Sequence, residues 1–191
     1  GDPLDCYLHL GNARVTQLVQ QSTLFHPEAE SGLRLHFFNL HHMLSRQFFH
    51  QFVRTYATEL AAGKTSFCLI FLGWDELSRA LVFQALQVLH LHPAGGIRLL
   101  VGAADPERAE QDFLQTYPGA ANILPLHFLP YRGNHRAFLD MHVLNQDPTC
   151  IQLLVLGAEQ NGGGLAAALD ILHATPAQDF VLYTRNETGK V

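Results

Sequence analysis

Short apolar segments alternate with longer segments of helical periodicity along this chain, and that alternation limits its fold more than any other feature. Apolar runs of strand length occupy residues 66–72, 97–102, 123–129, 150–156 and 179–184. Such nearly continuous apolar runs are typical of parallel strands that helices cover on both faces. The pattern therefore predicts an α/β fold built on a parallel sheet of about five strands.

Segments with apolar residues three and four positions apart separate these runs and predict helices. They cover residues 75–91, 105–117, 134–145 and 162–174. Earlier in the chain the same rhythm predicts a strand at 6–10, a helix at 12–23, a strand at 33–40 and a helix at 43–61. We expect an N-terminal βαβα extension over 1–62 and a Rossmann-like domain over 63–191, with the boundary in the polar stretch 61–65.

Composition excludes several classes of protein. The formal net charge is −5, with 12 Lys plus Arg against 17 Asp plus Glu, and no basic stripe is present to bind a nucleic-acid backbone. No apolar run reaches the roughly 18 residues that a membrane-spanning helix needs, and no signal peptide is recognisable. We therefore expect a cytoplasmic protein. The three widely spaced cysteines then predict reduced thiols rather than disulfides.

The sequence "FLGWDELS", residues 71–78, passes from an apolar run through a glycine into a helical segment. A dinucleotide site at such a turn uses three glycines, which allow the tight turn, the approach to the pyrophosphate and close packing of helix on strand. Gly73 meets the first requirement, and Ser78 is small enough for the third. Asp75 stands at the second position, where its carboxylate would repel a phosphate.

The end of the second strand of this unit lacks the acidic residue that normally binds the ribose hydroxyls. Residues 102–104 are uncharged, and the first carboxylate is that of Asp105. Because Pro106 and Glu107 follow it, Asp105 is better explained as the N-cap of the next helix. The sequence therefore predicts a Rossmann scaffold with a degenerate nucleotide site.

The run from Phe71 to Tyr131, with "DPE" after the second strand and "YPG" before the third, resembles the TrkA-N or RCK-type domain of bacterial potassium-transport regulators. With the preceding "LRLHFFNLHHMLSRQFFHQF", the resemblance extends over roughly residues 5–185. It implies a cytoplasmic domain that is attached to a membrane channel or transporter, pairs as a homodimer, and binds NAD(H) or another nucleotide to regulate ion flow.

The resemblance also implies positions for the cofactor-binding residues. The phosphate turn would comprise Gly73, Trp74, Asp75, Glu76, Leu77 and Ser78, the ribose position would be Ala103, and the ends of later strands would contribute Tyr131, Arg132 and Gly157. Of the key phosphate and ribose positions, only Gly73 keeps the family's residue type. The ligand therefore stays unidentified, and Trp74 either stacks on a ligand ring or fills the vacated phosphate site.

The other chemical motifs are weak. The histidine groups, such as His41 and His42 with His50, lack the spacing that places metal ligands on one helix face, so no metal site is predicted. No nucleophile motif is present, and no substrate domain follows the last predicted strand, so no enzymatic activity is expected. The alternatives are a functional NAD(H)-binding RCK domain and, less favoured, a small NAD-dependent oxidoreductase.

Two further segments allow two interpretations each. The phenylalanine-rich helix within 43–56 packs either into the core or against a second copy of the chain. The glycine run at 161–164 forms either a simple loop before a helix, which we favour, or a flexible loop beside the ligand crevice.

Overall fold

The computed structural model describes residues 4–11, 15, 33–63, 65–91, 96–142, 150–156 and 179–182. Within these ranges the strands are β1 (Leu4–His9), β2 (Leu33–Phe38), β3 (Phe67–Leu72), β4 (Ile97–Ala103), β5 (Leu126–Pro130), β6 (Ile151–Leu156) and β7 (Asp179–Leu182). The helices are α1 (Leu40–Thr55), α2 (Ala57–Ala62), α3 (Glu76–Leu89), α4 (Pro106–Thr116) and α5 (His135–His142), with a 3₁₀ turn at Ala120–Asn122.

The main sheet has five strands in the order β5-β4-β3-β6-β7, and every neighbouring pair is parallel. Counted from β3, this is the order 3-2-1-4-5 of a Rossmann fold. The chain moves outward to β4 and β5, and β6 then pairs with the other side of β3. The predicted α/β class with a Rossmann-like sheet of about five strands is confirmed.

The two faces of the main sheet bury different residues of the central strand. Phe67, Leu69 and Phe71 of β3 belong to a core that also contains residues of α1, α2, α3 and α4. The alternate residues of β3, from Cys68 to Leu72, pack on the opposite face with Tyr131 and residues of α5. All six residues of β3 are buried, because a central parallel strand has a helical layer on each side.

Helix α3 follows the predicted apolar periodicity closely. Leu77, Leu81, Ala85 and Leu89 are four residues apart and are all buried against the sheet. The carboxylate of Asp75 caps the N-terminus of this helix. The position and the buried face of α3 were therefore predictable from local sequence.

Strands β1 and β2 form a separate two-stranded parallel sheet. Asn39 connects this sheet to α1, because its side-chain amide donates hydrogen bonds to the carbonyls of Leu10 (2.8 Å) and Gly11 (3.2 Å). Its Oδ1 accepts a hydrogen bond from the backbone N–H of His42 at 3.1 Å and so caps α1. One buried side chain thus positions both the β1–β2 sheet and the start of α1.

The single helix predicted over 43–61 is wrong in its bounds. Helix α1 begins at Leu40, and the helical run is interrupted at Tyr56, where α1 ends and α2 begins. The interruption accompanies ring contacts of Tyr56 with Phe52 and Phe67, at 5.0 and 5.7 Å between centroids. These contacts and the full burial of Leu60 in α2 hold the second helix against the core.

The strand predicted at 123–129 begins three residues later, at Leu126. A 3₁₀ turn occupies Ala120–Asn122, and Ile123 follows it with 43% of its surface exposed. Pro125 has no N–H to donate to the sheet, although its carbonyl accepts a hydrogen bond from Leu99. The apolar run was therefore longer than the strand that it contains.

Other predicted elements lie partly or wholly outside the described residues. The helix at 162–174, the glycine run at 161–164 and all but Val15 of the helix at 12–23 lie outside them. The helix predicted at 134–145 is described as far as His142. No helix among the described residues is long and apolar enough to cross a membrane.

Candidate functional site

The carboxyl ends of β3, β4 and β5 meet at one edge of the main sheet, where parallel α/β sheets bind ligands. Gly73 follows β3 directly and has a φ of 100°, a backbone conformation that side-chain-bearing residues rarely adopt. Its N–H donates a hydrogen bond to the carbonyl of Gly102 at 3.1 Å. The tight turn predicted for Gly73 is present.

Asp75 uses its carboxylate to cap α3. Its Oδ1 accepts a hydrogen bond from the backbone N–H of Ser78 at 2.7 Å. The free N–H groups of a helix N-terminus are the usual donors to a bound phosphate, and here one of them is already satisfied by a negatively charged group. A pyrophosphate at this position could not use the N–H of Ser78 and would be repelled by the carboxylate of Asp75. These residues therefore do not fit a dinucleotide bound in the usual way.

Trp74 is held by aromatic contacts on two elements. Its ring lies 5.7 Å from that of Phe113 on α4 and 5.1 Å from that of Phe128 on β5, both edge-on, measured between centroids. The guanidinium carbon of Arg79 lies 5.4 Å from the Trp74 ring centroid, at cation–π distance. The indole N–H is buried and has no hydrogen-bond partner among the described residues. Trp74 is therefore part of the packed wall of the site.

A cleft of about 370 Å³ opens beside the turn at Gly73, and we call it the sheet-edge cleft. Four of the predicted site residues line it, namely Gly73, Trp74, Ala103 and Tyr131. Four charged residues that were not predicted to bind a ligand also line it, namely Arg79, Asp105, Arg108 and Asp112. The sequence signal for the last two was their spacing of four on a helix, which places them on one face.

The charges around the sheet-edge cleft are balanced and largely exposed. Arg79 lies 3.9 Å from Glu76, and Arg108 lies 4.0 Å from Asp112. The side chain of Arg108 is 79% exposed, so its ion pair is solvated and weak. The two arginines are therefore balanced by two aspartates, and the cleft has no net charge with which to attract a polyphosphate.

Tyr131 closes the same edge from the side of β5. It is 5% exposed, and its N–H donates to the carbonyl of Ala103 at 2.8 Å. Its hydroxyl lies 2.9 Å from Nε2 of His135. A Cβ added at Gly102 would lie 2.9 Å from the Cβ of Tyr131, closer than real Cβ atoms approach. Tyr131 thus packs directly on the C-terminal end of β4.

The remaining predicted site residues are dispersed. Leu77 and Ser78 lie in the first turn of α3, are 8% and 2% exposed, and face the protein interior. Glu76 is exposed at the start of α3, and Arg132 is exposed after β5 without lining the cleft. Gly157 lies outside the described residues. The structure therefore brings together part of the predicted set.

Asp105 caps α4, as predicted. Its Oδ1 accepts a hydrogen bond from the backbone N–H of Arg108 at 3.1 Å, and Pro106 occupies the first turn. The same residue lines the sheet-edge cleft two positions after Ala103. The carboxylate nearest to the ribose position is thus engaged with the helix that follows it.

The cysteine and histidine side chains give no sign of metal or thiol chemistry in the part of the chain that the structure describes. No group of three His, Cys, Asp or Glu residues there could hold a metal ion. Cys6, Cys68 and Cys150 are free thiols. Burial raises the pKa of Cys68 to about 11, despite the nearby charge of Arg98, so this thiol stays protonated and unreactive.

Comparison with known proteins found no significant match to this chain, whether among protein-family models, curated proteins or solved structures.

Proposed function

We propose that this chain is a regulatory, non-catalytic Rossmann module of a potassium-transport or ion-channel protein, cytoplasmic and paired as a homodimer, whose former nucleotide site no longer binds NAD(H). The transport context comes from the resemblance to TrkA-N and RCK-type domains. The order of the strands around β3 supports the scaffold. In such a module a ligand acts by binding one arrangement of the paired domains more tightly than another.

One observation carries the loss of NAD(H) binding. The carboxylate of Asp75 lies 2.7 Å from the N–H of Ser78, at the helix terminus where a pyrophosphate would accept its hydrogen bonds. The absence of net charge in the cleft and the packing of Tyr131 over Gly102 point the same way. A functional NAD(H) site is the alternative outcome of the experiment below.

The experiment is a calorimetric titration of the protein with NAD⁺, NADH, ATP and ADP. We expect no binding tighter than about 1 mM, which corresponds to about −4 kcal/mol. The double variant Asp75→Asn with Ala104→Asp should gain measurable binding of NAD⁺. Asparagine keeps the N-cap without the charge, and Ala104 is an exposed residue of the cleft where a carboxylate can reach ribose hydroxyls.

The matched control is Glu107→Gln, which removes one negative charge from the exposed first turn of α4, outside the cleft lining. It should leave the titrations unchanged. Micromolar binding of NAD⁺ or NADH by the unmodified protein would overturn the degenerate-site proposal. Turnover of a nicotinamide cofactor with an alcohol or 2-hydroxy acid would overturn the non-catalytic one.

A further inference from the structure

A second cavity, of about 270 Å³, lies between helices beside the sheet-edge cleft. Its walls come from the start of α1, the first turns of α3 and the end of α4. The residues that determine its chemistry are His41, His42, Glu76, Asp112, Phe113 and Tyr117. Arg79 and Asp112 border both this cavity and the sheet-edge cleft, so the two spaces are adjacent. We call this second space the interhelix cavity.

The formal charges in the interhelix cavity favour a cation. Glu76 and Asp112 contribute two carboxylates from different helices, and Arg79 is the single Lys or Arg residue among the described residues of the lining. That guanidinium is already shared, because it lies 3.9 Å from Glu76 and 5.4 Å from the Trp74 ring centroid. Arg108 lies 4.0 Å from Asp112, but its side chain is 79% exposed and outside the described lining, so it neutralises that carboxylate only weakly. An anionic ligand would meet an excess of negative charge here.

The two histidines bring potential hydrogen-bond acceptors to the lining. Burial, together with the charge of Arg46 and with His41, lowers the pKa of His42, so its imidazole is neutral at pH 7. Nδ1 of His41 is buried and has no hydrogen-bond partner among the described residues. In the tautomer protonated at Nε2 this atom is an acceptor, and leaving it unpaired costs free energy that a donor would recover.

Two hydrogen-bond donors of the lining are already engaged. The side-chain amide of Asn39 donates to the carbonyls of Leu10 and Gly11, and the hydroxyl of Thr116 donates to the carbonyl of Asp112 at 3.0 Å. These two side chains therefore do not donate a hydrogen bond to Nδ1 of His41.

Aromatic rings complete the wall. Tyr117 lies 5.0 Å from Phe113 and stacks at 4.3 Å on Phe83, measured between ring centroids. Burial and the charge of Glu76 raise the pKa of Tyr117, so the phenol stays neutral. Neutral aromatic faces beside carboxylates are the environment in which organic ammonium groups bind.

We propose that the interhelix cavity binds a small primary amine in its protonated form. Its ammonium group supplies a positive charge beside Glu76 and Asp112, and its N–H groups are donors for Nδ1 of His41 in the tautomer protonated at Nε2. A metal ion is not the occupant, since no three potential ligands among the described residues converge on one point. This proposal does not depend on whether the sheet-edge cleft binds NAD(H).

The test is a calorimetric titration of the unmodified protein with 1,4-diaminobutane and with butylamine at low ionic strength. Both should bind. Tetramethylammonium keeps the charge and the aromatic contact but has no N–H, so it should bind more weakly, and butyrate, which is an anion, should not bind. Glu76→Gln and Asp112→Asn should each weaken amine binding about two- to fivefold, as expected for loss of one partly exposed charge partner. Glu110→Gln, an exposed change on α4 outside the cavity lining, is the matched control and should have no effect.

Three results would overturn the proposal. They are no binding of either amine, equal binding of tetramethylammonium, and unchanged affinity in both carboxylate variants. Circular dichroism of the variants checks that they remain folded, and the nucleotide titrations described above fail or succeed separately from this one. Should both carboxylate variants unfold, Tyr117→Leu replaces them, because it removes an aromatic face and leaves both charges in place.

Discussion

Gly102 shows how one residue can decide the shape of the sheet edge. It is the residue before the last of β4 and pairs with Leu72 of β3, and Tyr131 packs directly on it. Asp75, in the turn after β3, has a comparable effect through its charge. Its carboxylate caps α3 and so changes which ligands the turn can bind. At this scale, the presence or absence of one side chain separates a packed edge from an open nucleotide site.

Gly102→Ala should destabilise the fold by about 1–3 kcal/mol, because the new methyl group would lie 2.9 Å from the Cβ of Tyr131 and 3.1 Å from Leu72. Urea unfolding followed by circular dichroism measures the loss. Gly119→Ala is the matched control, since nothing lies within 4 Å of its added Cβ and its φ of −80° suits alanine. Equal stability of the two variants would show that Tyr131 does not pack on Gly102 as described.

Helix α1 links the N-terminal part of the chain to the main sheet. Phe49 and Phe52 are 1% and 4% exposed and belong to the same core as β3 and α3, while Met43 on the same helix is 56% exposed. Core packing, the first of the two interpretations of this phenylalanine-rich helix, is thus what these two residues do. The exposed Met43 leaves the proposed contact with a second copy as a separate question.

Phe49→Ala should destabilise the protein by about 3–5 kcal/mol, in one cooperative transition that also unfolds the main sheet. The reason is that the ring fills space shared by α1 and the core of the sheet. Urea unfolding followed by tryptophan fluorescence reports the sheet edge, and circular dichroism reports the helices. Met43→Ala serves as the exposed control, with an expected change below about 0.5 kcal/mol.

Two separate transitions in that experiment would mean that residues 1–62 unfold independently of the Rossmann unit. That result would support a domain boundary at 62–63 in the strict sense. Coincident transitions would mean that the two segments unfold as one unit. Helices α1 and α2 would then belong to the layer of helices that covers the main sheet.

At the scale of the whole molecule, two cavities adjoin across Arg79 and Asp112. The first lies at the end of the parallel strands, and the second lies between helices α1, α3 and α4. An amine bound in the interhelix cavity would compete with Arg79 for Glu76 and so change the wall of the sheet-edge cleft. This adjacency offers a physical route by which a regulatory module responds to a small ligand.

The proposed role in potassium transport is tested in cells that lack the chain. We expect the half-saturating potassium concentration for uptake, measured with rubidium as a tracer, to change about fivefold or more, the lower end of usual allosteric coupling. Reintroducing the wild-type chain should restore uptake, and so should Asp75→Asn, because a degenerate nucleotide site is not used for regulation. Unchanged uptake in the deleted cells would contradict the transport role.

The order of apolar runs along the chain was sufficient to predict the α/β class, the number of main strands and helix α3, and the residues after Asp105 predicted its cap. The cap that Asp75 provides was not predicted, although it has the same local form. These features depend on neighbours in sequence, such as a carboxylate three residues before an N–H or leucines four residues apart. Local sequence did not predict the break at Tyr56 or the late start of β5. The break depends on contacts of Tyr56 with residues such as Phe67 that are distant in sequence. The late start of β5 follows from the missing N–H of Pro125.

Some features of the candidate site were likewise predictable from sequence, and others were not. Sequence alone determined that Gly73 makes a tight turn and that a carboxylate stands where a phosphate would bind. Only the tertiary structure placed Arg79, Arg108 and Asp112 in the sheet-edge cleft, packed Tyr131 over Gly102, and formed the interhelix cavity from three helices. The physical reason is that a local turn is specified by adjacent residues, whereas the composition of a cavity depends on which helix faces the packing of the core leaves opposite one another.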